Sequence, residues 1–381
     1  MRRRCMIIAG EASGDLHGSS LALALRQLAP ELELFGIGGD RMQQAGVELL
    51  YHASQMAHMG FAEVLRHLPA LQRAFSRTLH EAVTRRPHLV VLIDYPGFNL
   101  RFAQVAKRHG LKVLYYIVPQ LWAWRKGRLS KMARSVDAAA VIFPFEEPLF
   151  ASAGIPTTFV GHPLLDVLRV MGDRQSFFAR HGLDPHHPLV ALLPGSRVQE
   201  VRSLLPVMLQ AVDKLRRSLP GLQAVVAKAD TVADEVYAPL LAAHRHTATV
   251  RGDTHACLKC ADAAVVASGT ATLEAACLGT PFVLGYKVSW LSFQLMRRMI
   301  RIPYIGLVNI VADKQVVREL VQGDFAPEPL AAELKMLLQD QTRREAMRRE
   351  SRLVAEKLGT PGAARRTAEL ALRLMETDGG R

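Results

Sequence analysis

Cysteine is scarce in these 381 residues: Cys5, Cys257, Cys260 and Cys277 are the only four. A single C-x-x-C pair, with no second pair at metal-ligand spacing, supports neither a disulfide framework nor a zinc cluster, so the thiols read as small buried hydrophobes. No stretch approaches the ~18 uninterrupted apolar residues of a membrane-spanning helix. The opening MRRRCMIIAGEASG carries the charge of a signal peptide, but its apolar run from Met6 to Ala9 is too short, and Gly10, Glu11 and Asp15 follow at once. It reads as a buried first strand of a cytoplasmic protein. The dinucleotide fingerprint GxGxxG is absent, which argues against a nicotinamide oxidoreductase. Internal repeats, low-complexity segments and any Asp-x-Asp pair are missing too.

What is present in excess is positive charge: 48 Lys and Arg against 35 Asp and Glu, a net +13. Such a balance favours an anionic partner, whether nucleic acid, anionic lipid or a phosphorylated substrate. The excess is dispersed over both halves, without the basic stripe or tail of a nucleic-acid-binding protein, so no nucleic-acid partner is expected.

The length exceeds what one hydrophobic core usually serves and predicts two domains. Short apolar runs without strict alternation recur between amphipathic stretches: 5–10, 88–94, 112–118 and 138–143, then 189–195, 222–229, 263–269 and 281–286. Runs of this kind suit parallel strands buried on both faces, the pattern of an α/β fold with two doubly wound halves. Helices are expected at 205–218 and 270–278, and through 328–374 with a break at 359–363. Gly and Pro concentrate in GIPTTFVGHPLLD, 154–166, which predicts a boundary there. The domains are then 1–163, joined by a terminal helix at about 360–381, and 164–359. Two such sheets facing a cleft would take ligands at the carboxyl ends of their strands.

Five strings stand at those ends. GEASGDLHGSSL, 10–21, brings small residues, a hydroxyl at Ser13 and acids at Glu11 and Asp15 to a strand-to-helix turn; it suits a sugar acceptor, or is a tight turn that binds nothing. IDYPGFN, 93–99, sets Asp94 where a carboxylate could serve as general base, or merely cap the next turn. VPQLWAWRKGRLSKM, 118–132, interleaves Trp122 and Trp124 with Arg125, Lys126 and Arg128; the indoles could stack on sugars or pack a core. LLPGSRVQEV, 192–201, offers Gly195, Ser196 and Arg197 to a pyrophosphate. ASGTATLEAA, 267–276, repeats that geometry at Ser268, Gly269 and Thr270, with Glu274 able to accept both hydroxyls of a ribose. Two anion-cradling loops and an acid in one half make a nucleotide site.

Taken together, in this order and spacing, these strings resemble the lipid-A-disaccharide synthase family of glycosyltransferases, and the likeness extends through MGFAEVL at 59–65 to Asn309. The resemblance implies a GT-B fold, with two Rossmann-like domains and a C-terminal helix crossing back to the first. It implies inverting transfer of 2,3-diacylglucosamine from UDP to 2,3-diacylglucosamine 1-phosphate, giving a β-1,6 disaccharide, with no metal or other cofactor. Asp94 matches the proposed general base, Arg197 an arginine required for activity, and Asn309 an asparagine of the UDP site. It also allows a homodimer that swaps C-terminal segments. Three positions depart from the pattern: Val118 for a serine, Gly97 for an aspartate and Val308 for a proline. They touch acceptor or acyl-chain preference more than the chemistry.

Two acylated substrates imply work at the inner face of an anionic inner membrane. The candidate contacts are Val64, Leu65, Leu68 and Leu71 on one helix-like stretch, and Arg297, Arg298 and Arg301 behind Trp290, Phe293 and Met296 on another. Core burial would explain the apolar residues equally. A UDP-sugar epimerase would share the architecture and nucleotide site, but the first-half acids and apolar patches favour transfer between two lipid substrates.

Overall fold

The computed structural model describes residues 3–57, 64–120, 126–168, 172–289, 293–294 and 303–376, with backbone alone at 56–57, 64–70 and 126–128. The chain divides into two compact units, Met1–Asp166 with Leu358–Arg381, and Val167–Lys357.

The first unit is built on a seven-stranded parallel sheet. Its strands are β1 (Arg4–Ala9), β2 (Glu33–Gly38), β3 (Glu48–His52), β4 (Leu89–Ile93), β5 (Val113–Tyr116), β6 (Ala138–Val141) and β7 (Thr157–Phe159), in the order β3-β2-β1-β4-β5-β6-β7. The second unit carries six: β8 (Leu189–Leu193), β9 (Gln223–Lys228), β10 (Thr247–Arg251), β11 (Ala263–Ala267), β12 (Phe282–Tyr286) and β13 (Glu319–Val321), ordered β10-β9-β8-β11-β12-β13 and again all parallel. The expected pair of doubly wound α/β domains is observed. Every residue of β4, β8 and β11 is buried, because helices cover both faces, and this is why those strands read as unbroken apolar runs.

Five strands escaped the sequence reading. β3, β10 and β13 are sheet edges and β7 a three-residue edge inside the expected boundary segment; their burial is patchy and their hydrophobic signal weak. β2 is interior, but its sequence, ELFGIG, is broken by glycine. Gly36 has φ +152° with a register shift beside it, and a Cβ there would stand 1.9 Å from the Ile7 carbonyl oxygen. Only glycine lets β2 approach β1 so closely.

The terminal helix Ala363–Glu376 belongs to the first unit. It buries Ala363, Thr367, Ala368, Leu370, Ala371 and Met375, packing on helix Ala12–Leu28 and on β4. Its approach is tied down by backbone and guanidinium: His162 N–H donates to Leu358 O at 2.9 Å, and Arg366 Nε donates to Val160 O at 2.8 Å.

In each sheet the strand order reverses once, between β1 and β4 and between β8 and β11. Ligands of open parallel sheets bind outside the carboxyl ends at such a reversal. Gly36→Ala is expected to destabilise the first unit by ~3 to 5 kcal/mol, since the added methyl meets backbone rather than a movable side chain; a urea-unfolding midpoint compared with the parent chain checks it.

Candidate functional site

Both reversals are lined by the residues singled out in the sequence. In the first unit β1 runs into Gly10 and Glu11, and β4 into Asp94. Gly10 is required by close approach: a Cβ on it would fall 2.2 Å from the Tyr95 ring. That contact seats Glu11, exposed at the start of helix Ala12–Leu28 with no side-chain capping bond, beside Asp94.

Asp94 and Tyr95 have φ of 45° and 48°, two consecutive non-glycine residues in the left-handed region. The Asp94 peptide is gripped on all sides. Its N–H donates to Tyr116 O at 3.2 Å, and its carbonyl accepts from Tyr115 Oη at 2.7 Å and Asn99 Nδ2 at 2.8 Å. The carboxyl is half-buried. Desolvation first, and the neighbouring Glu11 charge second, raise its pKa to about 6, against a hydrogen bond from the Tyr95 amide. A carboxylate tuned towards neutrality at a strand end suits proton abstraction from an alcohol.

Asp15 does not join it. Its carboxylate is buried and accepts from the amides of Gly39 (2.7 Å), Met42 (3.0 Å) and Arg41 (3.1 Å), capping the short helix Asp40–Gln44. Three backbone donors thus give the acid at 15 a structural task, while Glu11 is exposed. Ser13 is exposed on the first helical turn. Trp124 and Arg125 lie outside the described residues.

In the second unit β8 ends at Gly195, whose φ of +103° turns the chain into helix Val198–Ser218. Ser196 N–H and Arg197 N–H both point at one anion, and that place is taken by Glu200: Oε2 accepts from them at 3.0 and 3.2 Å, and Oε1 from Arg197 Nη1 at 2.8 Å. The Arg197 side chain is 79% exposed. Tyr286, at the end of β12, lies within the field of the same pair; burial and then Glu200 raise its phenol pKa, and Arg197 lowers it. β11 ends at Ser268, Gly269 and Thr270. Gly269 has φ +140° and open space around it. Glu274, half-buried, has its pKa raised by burial and opposed by His255, whose Nε2 stands 3.8 Å from Oε2. His255 and Tyr286 were not foreseen because their partners come from elements distant in sequence; Glu200 was overlooked although it lies in the string 192–201, at the capping-box position three residues after Arg197.

Asn309 is fully buried and its amide is spent within the unit. Nδ2 donates to Val317 O and Glu319 Oε1, both at 2.9 Å, while Oδ1 accepts from Val316 N (2.7 Å) and Val317 N (3.0 Å). Glu319 in turn receives the amides of Ile305 and Gly306 at 2.9 Å, and Ser268 Oγ donates to Ile305 O at 3.2 Å. Through these bonds the Asn309 side chain also shapes the wall behind Ser268.

Of the proposed membrane contacts, Leu71 packs against the first unit's core, together with Phe75 and Leu79, so burial accounts for its apolar character. The side chains of Val64, Leu65 and Leu68, and Arg297, Arg298 and Arg301 entirely, fall outside the described residues. Among the described residues no helix is long and apolar enough to cross a membrane, and no His, Cys, Asp and Glu cluster could hold a metal ion.

Residues 5–373 match the family model described as lipid-A-disaccharide synthetase. Relatives named lipid-A-disaccharide synthase include those of Geobacter sulfurreducens, 46% identical over 98% of this chain and 97% of that protein, and Nitrosococcus oceani, 41% identical over 97% and 96%. Solved structures share the fold at low identity. A putative UDP-N-acetylglucosamine 2-epimerase from Listeria monocytogenes aligns with TM-score 0.68 and 14% identity over 100% of this chain and 98% of its own. The calicheamicin glycosyltransferase CalG4 aligns at 0.59 and 16%, over all of both chains.

Asn309→Ala would leave the Val316 and Val317 amides, the Val317 carbonyl and the Glu319 carboxylate each short of a partner, and is expected to cost ~3 kcal/mol or more of stability; a urea-unfolding midpoint unchanged from the parent chain would refute the structural role.

Proposed function

The chain belongs to the lipid-A-disaccharide synthase family, a family of GT-B glycosyltransferases, and from that premise we propose how its two strand-order reversals carry out the transfer. The reaction moves 2,3-diacylglucosamine from UDP-2,3-diacylglucosamine to the 6-hydroxyl of 2,3-diacylglucosamine 1-phosphate, forming a β-1,6 disaccharide 1-phosphate and UDP. Asp94 is the base. It takes the hydroxyl proton as the oxygen attacks the anomeric carbon, the bond from that carbon to the diphosphate oxygen breaks on the opposite face, and configuration inverts. The observation that carries this assignment is the setting of Asp94, desolvated and beside Glu11 at the end of β4.

The donor binds the second unit. Its diphosphate lies against the 195–197 and 268–270 loops, where backbone amides and the Arg197 guanidinium offset the charge that builds on the departing UDP. Glu274 accepts the ribose hydroxyls. Supporting this reading, the amides of Ser196 and Arg197 already converge on an anion, the Glu200 carboxylate. Glu11 and Ser13 face the acceptor sugar.

The chain works at an anionic membrane surface, because both substrates are acylated and the net charge is +13; the cations at Arg297, Arg298 and Arg301 would each contribute ~1 kcal/mol of attraction. Charge reversal at these three is expected to abolish salt-sensitive partitioning onto vesicles containing anionic lipid, as sedimentation would read.

Asp94→Asn is expected to lower kcat by ~100 to 10,000-fold while the chain still folds, with product measured by mass spectrometry. An ionised base is needed, so kcat/KM should fall as pH drops through about 6. Glu11→Gln removes the second cause of the raised pKa, and the acid limb should then shift to lower pH. A limb that stays put would remove Glu11 from this role.

A further inference from the structure

We infer that Tyr115 and Asn99 are positioning residues for the reaction, acting together as a clamp on the Asp94 carbonyl that aims the carboxylate; the inference rests on the reading of Asp94 as the base. Two successive left-handed residues cost on the order of 1 to 2 kcal/mol each and persist only where the surroundings over-determine them. Here the over-determination is concentrated on one atom. Tyr115 reaches it from the neighbouring strand β5 and Asn99 from the helix Pro96–Arg108 that follows the kink.

Neither residue is an incidental neighbour. Both are fully buried, in a region otherwise packed with Phe98, Phe102, Leu92 and Val113. A hydroxyl and amide N–H groups so placed are costly unless bonded. Asn99 commits both of its N–H groups to consecutive carbonyls, Ile93 O at 3.1 Å and Asp94 O at 2.8 Å. The reverse orientation would oppose its oxygen to two carbonyl oxygens, so the amide is held one way round.

Without this grip the kinked peptide could relax into an ordinary extended turn, and the side chain launched from it would swing. Among the described residues, the ionisable groups that bear on the Asp94 carboxyl are Glu11 and Tyr115. Relaxation would carry the carboxyl away from Glu11 and into solvent, removing both causes of its raised pKa.

Tyr115→Phe deletes one hydroxyl and keeps the ring; Asn99→Leu deletes both amide bonds. Misplacing a reacting group by ~1 Å costs on the order of 100-fold, so Asn99→Leu is expected to lose about that in kcat and Tyr115→Phe roughly 10-fold. KM for donor and acceptor should stay near the parent values. The diagnostic readout is the acid limb of kcat/KM, which should fall from about 6 towards the ordinary carboxylate range in both variants. Parent-like kcat and an unmoved limb would overturn the proposal. So would a loss of kcat that tracks only the folded fraction, by circular dichroism, with the limb in place. If Asn99→Leu fails to fold, Tyr115→Phe decides alone. Asp94→Asn is measured alongside: if it retains turnover, the reading of Asp94 as base has failed and takes the clamp with it, whereas an inactive Asp94→Asn beside a parent-like Tyr115→Phe rejects the clamp only.

Discussion

Parallel strands cannot be joined by a hairpin; each connection climbs back along one face of the sheet, and almost always with right-handed sense. A sheet that grows outward in one direction from β1 and in the other from β4 therefore sends the two connections to opposite faces. Between them a crevice opens outside the strand ends. The second unit repeats this at β8 and β11. Every group assigned to chemistry in this chain, from Glu11 and Asp94 to Arg197 and Ser268, owes its access to those two gaps in the cover.

What occupies the gaps is backbone under unusual demand. Gly195 and Gly269 meet it with positive φ, and Asp94 meets it as a non-glycine residue kept in place by buried polar side chains. The contrast has a chemical reason. A loop that presents amides to a phosphate needs no side chain, so glycine serves. A position that must deliver a carboxylate needs one, and the surrounding core must supply the restraint that glycine would have made unnecessary.

The central strands were legible because burial on both faces leaves short apolar runs, and their length and the turn signals at their ends separate them from helices. The edge strands β3, β7, β10 and β13 were not, since a half-covered strand of three to five residues looks like loop. The strand-end loops were legible, and Asp94, Gly195, Arg197 and Gly269 stand on them. Asp15 was visible as an acid in the right string and Asn309 only through the family resemblance, but whether a carboxylate or amide faces a ligand or a neighbouring turn depends on chain that arrives from elsewhere: Gly39 to Met42 for one, Val316 to Glu319 for the other. Local spacing carries no information about that competition. Glu200 is the opposite case, a carboxylate three residues into a helix that turns back to cap it, at a spacing the sequence does carry.

Helix Ala363–Glu376 lies on helix Ala12–Leu28 although all of the second unit is encoded between them. On the ribosome, the surface of Ala12–Leu28 that the later helix covers must wait through translation of Val167–Lys357, a delay on the order of ten to forty seconds at ordinary elongation rates. For that interval the newborn first unit lacks the helix that covers this flank, and its apolar side chains there stay open to water and to other nascent chains.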